Sequence, residues 1–294
     1  MKRFVVILLL PLVIFACGNK NKKTHFSSDS STNTEPRKLV LMAQTPKDLK
    51  TPESVCFDKT RNRFYVSNIN GKPMAKDNNG FISILTKSGD IEKLKWVEGL
   101  DAPKGMGIYR GYLYVTDIDR VVKIDIDREK IVKTYSFPKA KFLNDIAIDD
   151  NGNVYISDML NNLVYKLTRN GEISVFADSM DKANGMLIRE NILYVGCHPS
   201  LYAINLENGI KRDVIDVSDM DMIDGLKFAD SGFIVSDWVG HVYFLDTLQR
   251  KQVLLLNTAD KKVNAADFEY VEKDNLLLIP TFYDGRVDFY KFVK

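Results

Sequence analysis

A short strand of β-branched and aromatic residues, ending in a small polar pair, recurs six times along this chain. The copies read Phe64-Tyr65-Val66-Ser67-Asn68, Leu113-Tyr114-Val115-Thr116-Asp117, Val154-Tyr155-Ile156-Ser157-Asp158, Leu193-Tyr194-Val195-Gly196-Cys197, Phe233-Ile234-Val235-Ser236-Asp237 and Leu277-Leu278-Ile279-Pro280-Thr281. Each follows an apolar strand and a turn. Positions 65, 114, 155, 194, 234 and 278 correspond, a period of roughly 40–50 residues. Such a unit cannot bury its apolar face alone and must stack on its neighbours. The period suits one four-stranded blade, so six copies predict an all-β fold, a six-bladed β-propeller. A propeller brings six separated loops to one axial opening, where equivalent residues can be compared directly.

Residues 1–16 read as a targeting segment outside the fold. Lys2 and Arg3 precede an apolar run, Phe4 to Ala16, that is too short for an ordinary membrane span. The run ends Ile14-Phe15-Ala16-Cys17, which resembles the lipobox of bacterial lipoproteins. That resemblance implies cleavage before Cys17 and a lipid on its new N-terminus, which would hold the protein on a membrane without spanning it. The expected location is then the bacterial cell envelope, at the outer membrane facing the periplasm. Ordinary secretion, with Cys17 a chance residue, is the alternative. Residues 17–37 are rich in Lys, Asn, Ser and Thr and nearly devoid of apolar side chains, as a flexible tether is.

The propeller is expected over residues 38–294, long enough for one large all-β domain. A net charge of +2 and the lack of a basic stripe with interleaved aromatics argue against nucleic acid as a partner. A small-molecule substrate is the expected partner, and a monomer the expected state. Cys56 and Cys197 fall in strands of different blades and read as two buried free thiols, with one disulfide in an oxidising compartment as the alternative. His25, His198 and His241 do not cluster as zinc ligands would. The last blade stops one strand short after Phe292, while a spare strand, Lys38 to Ala43, stands at the start. Pairing the two would close the ring and cover exposed sheet edges.

The innermost strands are expected to begin at Ser54, Gly105, Asp145, Gly185, Gly225 and Asp267. The residues just before them, Glu53, Lys104, Asn144, Asn184, Asp224 and Ala266, then point at the axis on one face. Glu53, Asn144, Asn184 and Asp224 supply two carboxylates and two amide oxygens, a seat for one hard divalent cation such as Ca2+. Each Asn would give its carbonyl oxygen while a neighbour holds its NH2. Lys104 leaves the reading open, since its ammonium could bind an anionic substrate group or pair with Glu53 and replace the metal.

The segments Pro52-Glu53, Leu143-Asn144-Asp145, Asn184-Gly185 and Asp224-Gly225 resemble the motifs of the gluconolactonase, senescence-marker-protein and luciferin-regenerating-enzyme family of six-bladed propellers. Paraoxonases share the general plan. The resemblance covers the chain from about Lys38 onward. It implies that Glu53, Asn144, Asn184 and Asp224 bind one divalent metal, calcium or zinc. It also implies that Asp224 is the base that activates water against a lactone, that Asn144 also contacts substrate and that Asp145 supports the site. A metal at the axis would polarise an ester carbonyl, and a carboxylate beside it could take the proton of water.

Three features depart from that pattern. Phe142 stands where the sugar-lactonases carry an Arg that holds substrate, Glu53-Ser54-Val55 replaces Glu-Gly-Pro, and Lys104 joins the ring. Phe142, Lys104, His198 and Trp238 are candidate substrate contacts. Cys197-His198, Trp238 and Phe282-Tyr283 break the repeated polar ending and read either as an aromatic rim suited to a hydrophobic ligand or as packing between blades. Asn68, Asp117, Asp158 and Asp237 read as side chains that bond turn backbone, because they repeat with the fold. The leading expectation is a metal-dependent hydrolase of a lactone or related ester. Its rival is a non-catalytic propeller, like those of NHL repeats, that binds a glycan, peptide or protein.

Overall fold

The computed structural model describes residues 37–293, so the expectations for the segment 1–16, for Cys17 and for most of the tether lie outside the described residues. Six four-stranded antiparallel sheets follow one another, each built from strands consecutive in sequence except the last. The sixth takes its outer strand, Lys38–Gln44, from the start of the chain and pairs it with Val287–Val293 near the end. The register runs from Lys38 opposite Val293 to Gln44 opposite Asp288. The N-terminal strand therefore closes the last blade as the sequence predicts.

Every repeated strand is the second of its blade and is buried on both faces. Alternation of apolar and polar residues is weak there because each blade stacks on two neighbours. Tyr65, Phe64 and Val66 are all fully buried, and one side packs on blade 2 while the other packs on blade 6. An apolar core fills each of the six seams between adjacent blades, including the seam where blade 6 meets blade 1. Cys56 and Cys197 are free and buried in these cores.

The small polar pair at the end of each second strand has a specific task. The backbone N–H groups of Ser54, Asp145 and Gly225 donate to the hydroxyls of Ser67, Ser157 and Ser236 at 3.0, 2.8 and 2.8 Å. Thr116 and Ser236 donate onward to the carbonyls of Asn144 and Ala266 in the next blade. These hydroxyls stitch the axial seam. Asn68, Asp117, Asp158 and Asp237 accept from turn backbone, as with Ala102 N–H to Asp117 at 2.7 Å and Phe142 N–H to Asp158 at 3.1 Å. Gly196 replaces the hydroxyl in blade 4 for a steric reason: a Cβ there would lie 2.5 Å from the Ile223 side chain.

Candidate functional site at the propeller axis

The inner strands are Pro52–Asp58, Pro103–Tyr109, Leu143–Ile148, Met186–Arg189, Leu226–Ala229 and Glu269–Val271. Their starts differ from the sequence expectation. Glu53, Lys104 and Asn144 are second residues of their strands, whereas Asn184, Asp224 and Ala266 precede theirs. The cause is a break in ladder register at each of the first three starts, between Pro52 and Val55, Pro103 and Met106, and Leu143 and Ile146. Such irregularities re-aim a side chain. In blade 4, Asn184 N–H still reaches the carbonyl of Gly196 at 2.9 Å, and in blade 5 Asp224 N–H reaches that of Ser236 at 2.8 Å. All six positions therefore occupy one axial layer.

That layer is buried. Glu53, Lys104, Asn144, Asn184 and Asp224 retain between 1% and 6% exposure. Asn184 donates its amide to Asp224 Oδ1 at 2.8 Å, leaving its own oxygen free. Four of the buried oxygens without a hydrogen-bond partner belong to this layer: Glu53 Oε2, Asn184 Oδ1 and Asp224 Oδ2 on the expected ligands, and Asp267 Oδ1 beside them. Buried polar atoms are almost always paired, so unpaired oxygens on three of the four expected ligands form a donor set that a cation would satisfy. Burial raises the pKa of Glu53 well above the carboxylate range, with Asp224 and Asp267 adding to it. Burial and then Asp267 push Asp224 up to about 7. Carboxylates in this state are those that a cation would relieve.

The donor chemistry fits a hard metal. Two carboxylates and two carboxamides offer only oxygen, the preference of Ca2+ rather than of zinc, which favours nitrogen and sulfur. Among the described residues no three His, Cys, Asp or Glu side chains gather as a metal cluster; the quartet would bind through its carboxamides as much as its acids.

Lys104 does not make the pair with Glu53 that would replace a metal. Its Nζ donates to the carbonyls of Pro73 and Ala102, both at 2.9 Å, and lies 4.5 Å from the centre of the Phe142 ring. Burial lowers its pKa to about 8, with Glu53 and Asp117 opposing that shift. The ammonium thus ties the 69–79 loop of blade 1 to the axial layer. Phe142 is its cation–π partner, which gives the aromatic at that position a reason independent of substrate. Asp145 is likewise engaged, accepting from Ile146 N–H at 2.6 Å and Met186 N–H at 2.5 Å, and so couples blades 3 and 4 beside the quartet.

The other candidates separate. Trp238 meets Phe282 edge-on at 5.3 Å and Tyr283 at 6.1 Å, and packs on an apolar cluster of Ile69, Ala102, Ile118, Ala266 and Phe282. Ile118, Trp238 and Phe282 all adopt positive φ, between 49° and 61°, which is strained for bulky side chains. These residues come from blades 1, 2, 5 and 6, beside the axial position of Ala266, so rim and inter-blade packing are one feature. His198 is half-buried, its backbone N–H donates to the carbonyl of Asp181 at 3.0 Å, and among the described residues no contact brings it to the quartet.

Sequence reasoning misses Asp267 as a site residue, although it is central to the charge of this layer. It accepts from Ser54 Oγ at 2.6 Å and faces Lys227 at 3.7 Å. Its signal in the sequence is its place at the start of the sixth innermost strand, equivalent to Asp145 in the third.

No known family's sequence pattern matches the chain, and no curated protein does. Solved structures do. A catalytically inactive variant of virginiamycin B lyase from Staphylococcus aureus, solved with quinupristin, is 14% identical at a TM-score of 0.60, over 87% of this chain and all of that one. A streptogramin B lyase is 12% identical at 0.61, covering 87% and 97%. A chain of a nidogen/laminin complex is 15% identical at 0.63, covering 74% and 84%. At these identities the likeness establishes the fold: this chain is a six-bladed β-propeller.

Proposed function

We propose that the axial quartet of Glu53, Asn144, Asn184 and Asp224 holds one divalent cation, calcium before zinc, and that the site hydrolyses a lactone or related ester. The observation that carries this reading is the convergence of three unpaired buried oxygens on the residues that resemble the ligand set of the gluconolactonase-like family. The cation would supply Lewis acidity toward a carbonyl oxygen. Asp224 keeps one oxygen occupied by Asn184 and one free, so Oδ2 is the group able to take the proton of an attacking water. Asn144 makes no side-chain hydrogen bond among the described residues and is available to orient substrate. Asp145 holds the backbone of Met186, Asp267 accepts from the Ser54 hydroxyl, and both add to the negative potential of the layer.

One observation favours a second reading, a propeller that binds a glycan, peptide or protein without catalysis. Phe142 and Lys104 satisfy each other, so the position that holds substrate in the resembled sugar-lactonases is committed to structure here. A panel of sugar, aliphatic and aromatic lactones and aryl esters, assayed with and without chelator, separates the two. Turnover that chelator removes and calcium restores is expected. No turnover across the panel would leave the binding reading in place of the enzyme.

The lipid anchor on Cys17 belongs to the same proposal and would hold the enzyme in the bacterial envelope. Cys17→Ser should move the protein from the detergent phase to the aqueous phase in detergent partitioning. Persistence in the detergent phase would rule out the anchor.

A further inference from the structure

A cavity lies at the opposite end of the axis, outside the quartet. It encloses about 710 Å3 where the inner strands of blades 1, 3, 4, 5 and 6 end, a volume within the ~300–1,000 Å3 of small-molecule sites. Phe57, Ile146, Ile148, Ile188 and Phe228 give it an apolar wall. Its charge is unbalanced: Lys59, Arg189, Lys227 and Lys273 line it against Glu269 and Glu272.

Lys227 is balanced by Asp267, Glu269 and Asp145, so the cations left with least compensation are Lys59, Arg189 and Lys273 at the rim. Glu269 is committed to backbone, accepting from Phe57 N–H at 3.0 Å and Tyr270 N–H at 2.8 Å. Glu272 is exposed. Arg189 lies 3.8 Å from the centre of the Phe228 ring, which fixes its guanidinium beside the apolar wall. Its ion pair with Glu190, at 3.6 Å, is exposed and therefore weak. Lys227 meets Asp267 at 3.7 Å, and 21% of its side chain stays open although it sits within the domain. That opening is toward the cavity it lines.

We propose that this cavity is a second ligand site, for a small organic anion with an apolar body, such as a carboxylate on an aliphatic chain. The oxyanion is held at the rim by Lys59, Arg189 and Lys273, and the body lies along the apolar wall above Lys227. A polyhydroxy ligand would leave its hydroxyls unpaired against Phe57, Ile148 and Phe228. A cation would meet four basic side chains.

Titration calorimetry and saturation-transfer NMR of the purified full chain with octanoate, octanol and octylamine test this. Octanoate should bind saturably, octanol at least about tenfold more weakly, and octylamine not at all. Exposed Arg189 and Lys59 can be reversed without touching a core, and Arg189→Glu with Lys59→Glu should weaken octanoate by at least about tenfold. Ile188→Trp should weaken binding by narrowing the space along the apolar wall, and Asp224→Asn should leave it unchanged. The proposal is overturned if octanoate does not bind, if the three probes bind alike, if the charge reversals have no effect, or if Asp224→Asn removes binding.

Discussion

Asp224→Asn is expected to lower hydrolysis of a confirmed lactone or ester substrate by ~10²–10⁴-fold, the usual loss when a general base is removed. Asn keeps an oxygen for the cation and for the amide of Asn184, so metal affinity should fall only in part. A variant that hydrolyses at near the wild-type rate would exclude Asp224 as the base. The same substitution has an opposite effect on stability without metal. In the folded state the pKa of Asp224 rises from 3.8 to about 7, through burial and then Asp267. A raised carboxylate pKa favours folding at low pH, and that contribution is lost as pH climbs from about 4 through about 7. Metal-free Asp224→Asn should therefore melt above metal-free wild type at pH 8, with the gap closing toward pH 4. Identical melting curves at both pH values would contradict an unrelieved charge at this position.

Deletion of residues 38–44 should lower Tm by about 10 °C or prevent soluble accumulation. The strand contributes six paired positions on Val287–Val293, the contact of Gln44 Nε2 with Asp288 at 2.9 Å, and Leu39 against the seam that holds Tyr290 and Phe292. At ~0.5–1.5 kcal/mol net per hydrogen bond, and with backbone entropy released on the other side, a net loss of ~3–5 kcal/mol is reasonable. Domains of this size lose roughly 2–4 °C per kcal/mol. Most of the strand's side chains are exposed, so the effect comes from the ladder and from the sheet edge that deletion uncovers. Unchanged melting of the truncated protein would show that closure contributes little.

Much of this architecture is legible in the sequence because it is repeated. The second strands, flanked by other blades on both sides, must be apolar throughout, and that pattern survives six times. Closure follows from a missing strand at one end and a spare one at the other. Four of the axial residues can be aligned because each precedes a Ser, Asp or Gly where two blades crowd: a Cβ on Gly185 would lie 2.4 Å from the Asp224 carbonyl. The strand starts shift by one or two residues because register breaks leave no mark in residue type. Lys104 is ambiguous because its partners are the carbonyls of Pro73 and Ala102, and backbone acceptors are invisible in a sequence. The cavity of Lys227, Arg189 and Glu269 has no signal at all. Its residues sit at the far ends of inner strands, where blades diverge and no motif repeats.

The central claim is that the propeller axis seats a metal. Elemental analysis with calcium titration of purified wild type, Glu53→Ala and Asn184→Ala tests it most directly. One divalent cation per chain is expected in the wild type, with affinity at least about tenfold lower in each variant and the β-sheet spectrum unchanged. Wild-type protein that takes up no divalent cation, or variants that bind it with unaltered stoichiometry and affinity, would contradict a metal seat at the axis.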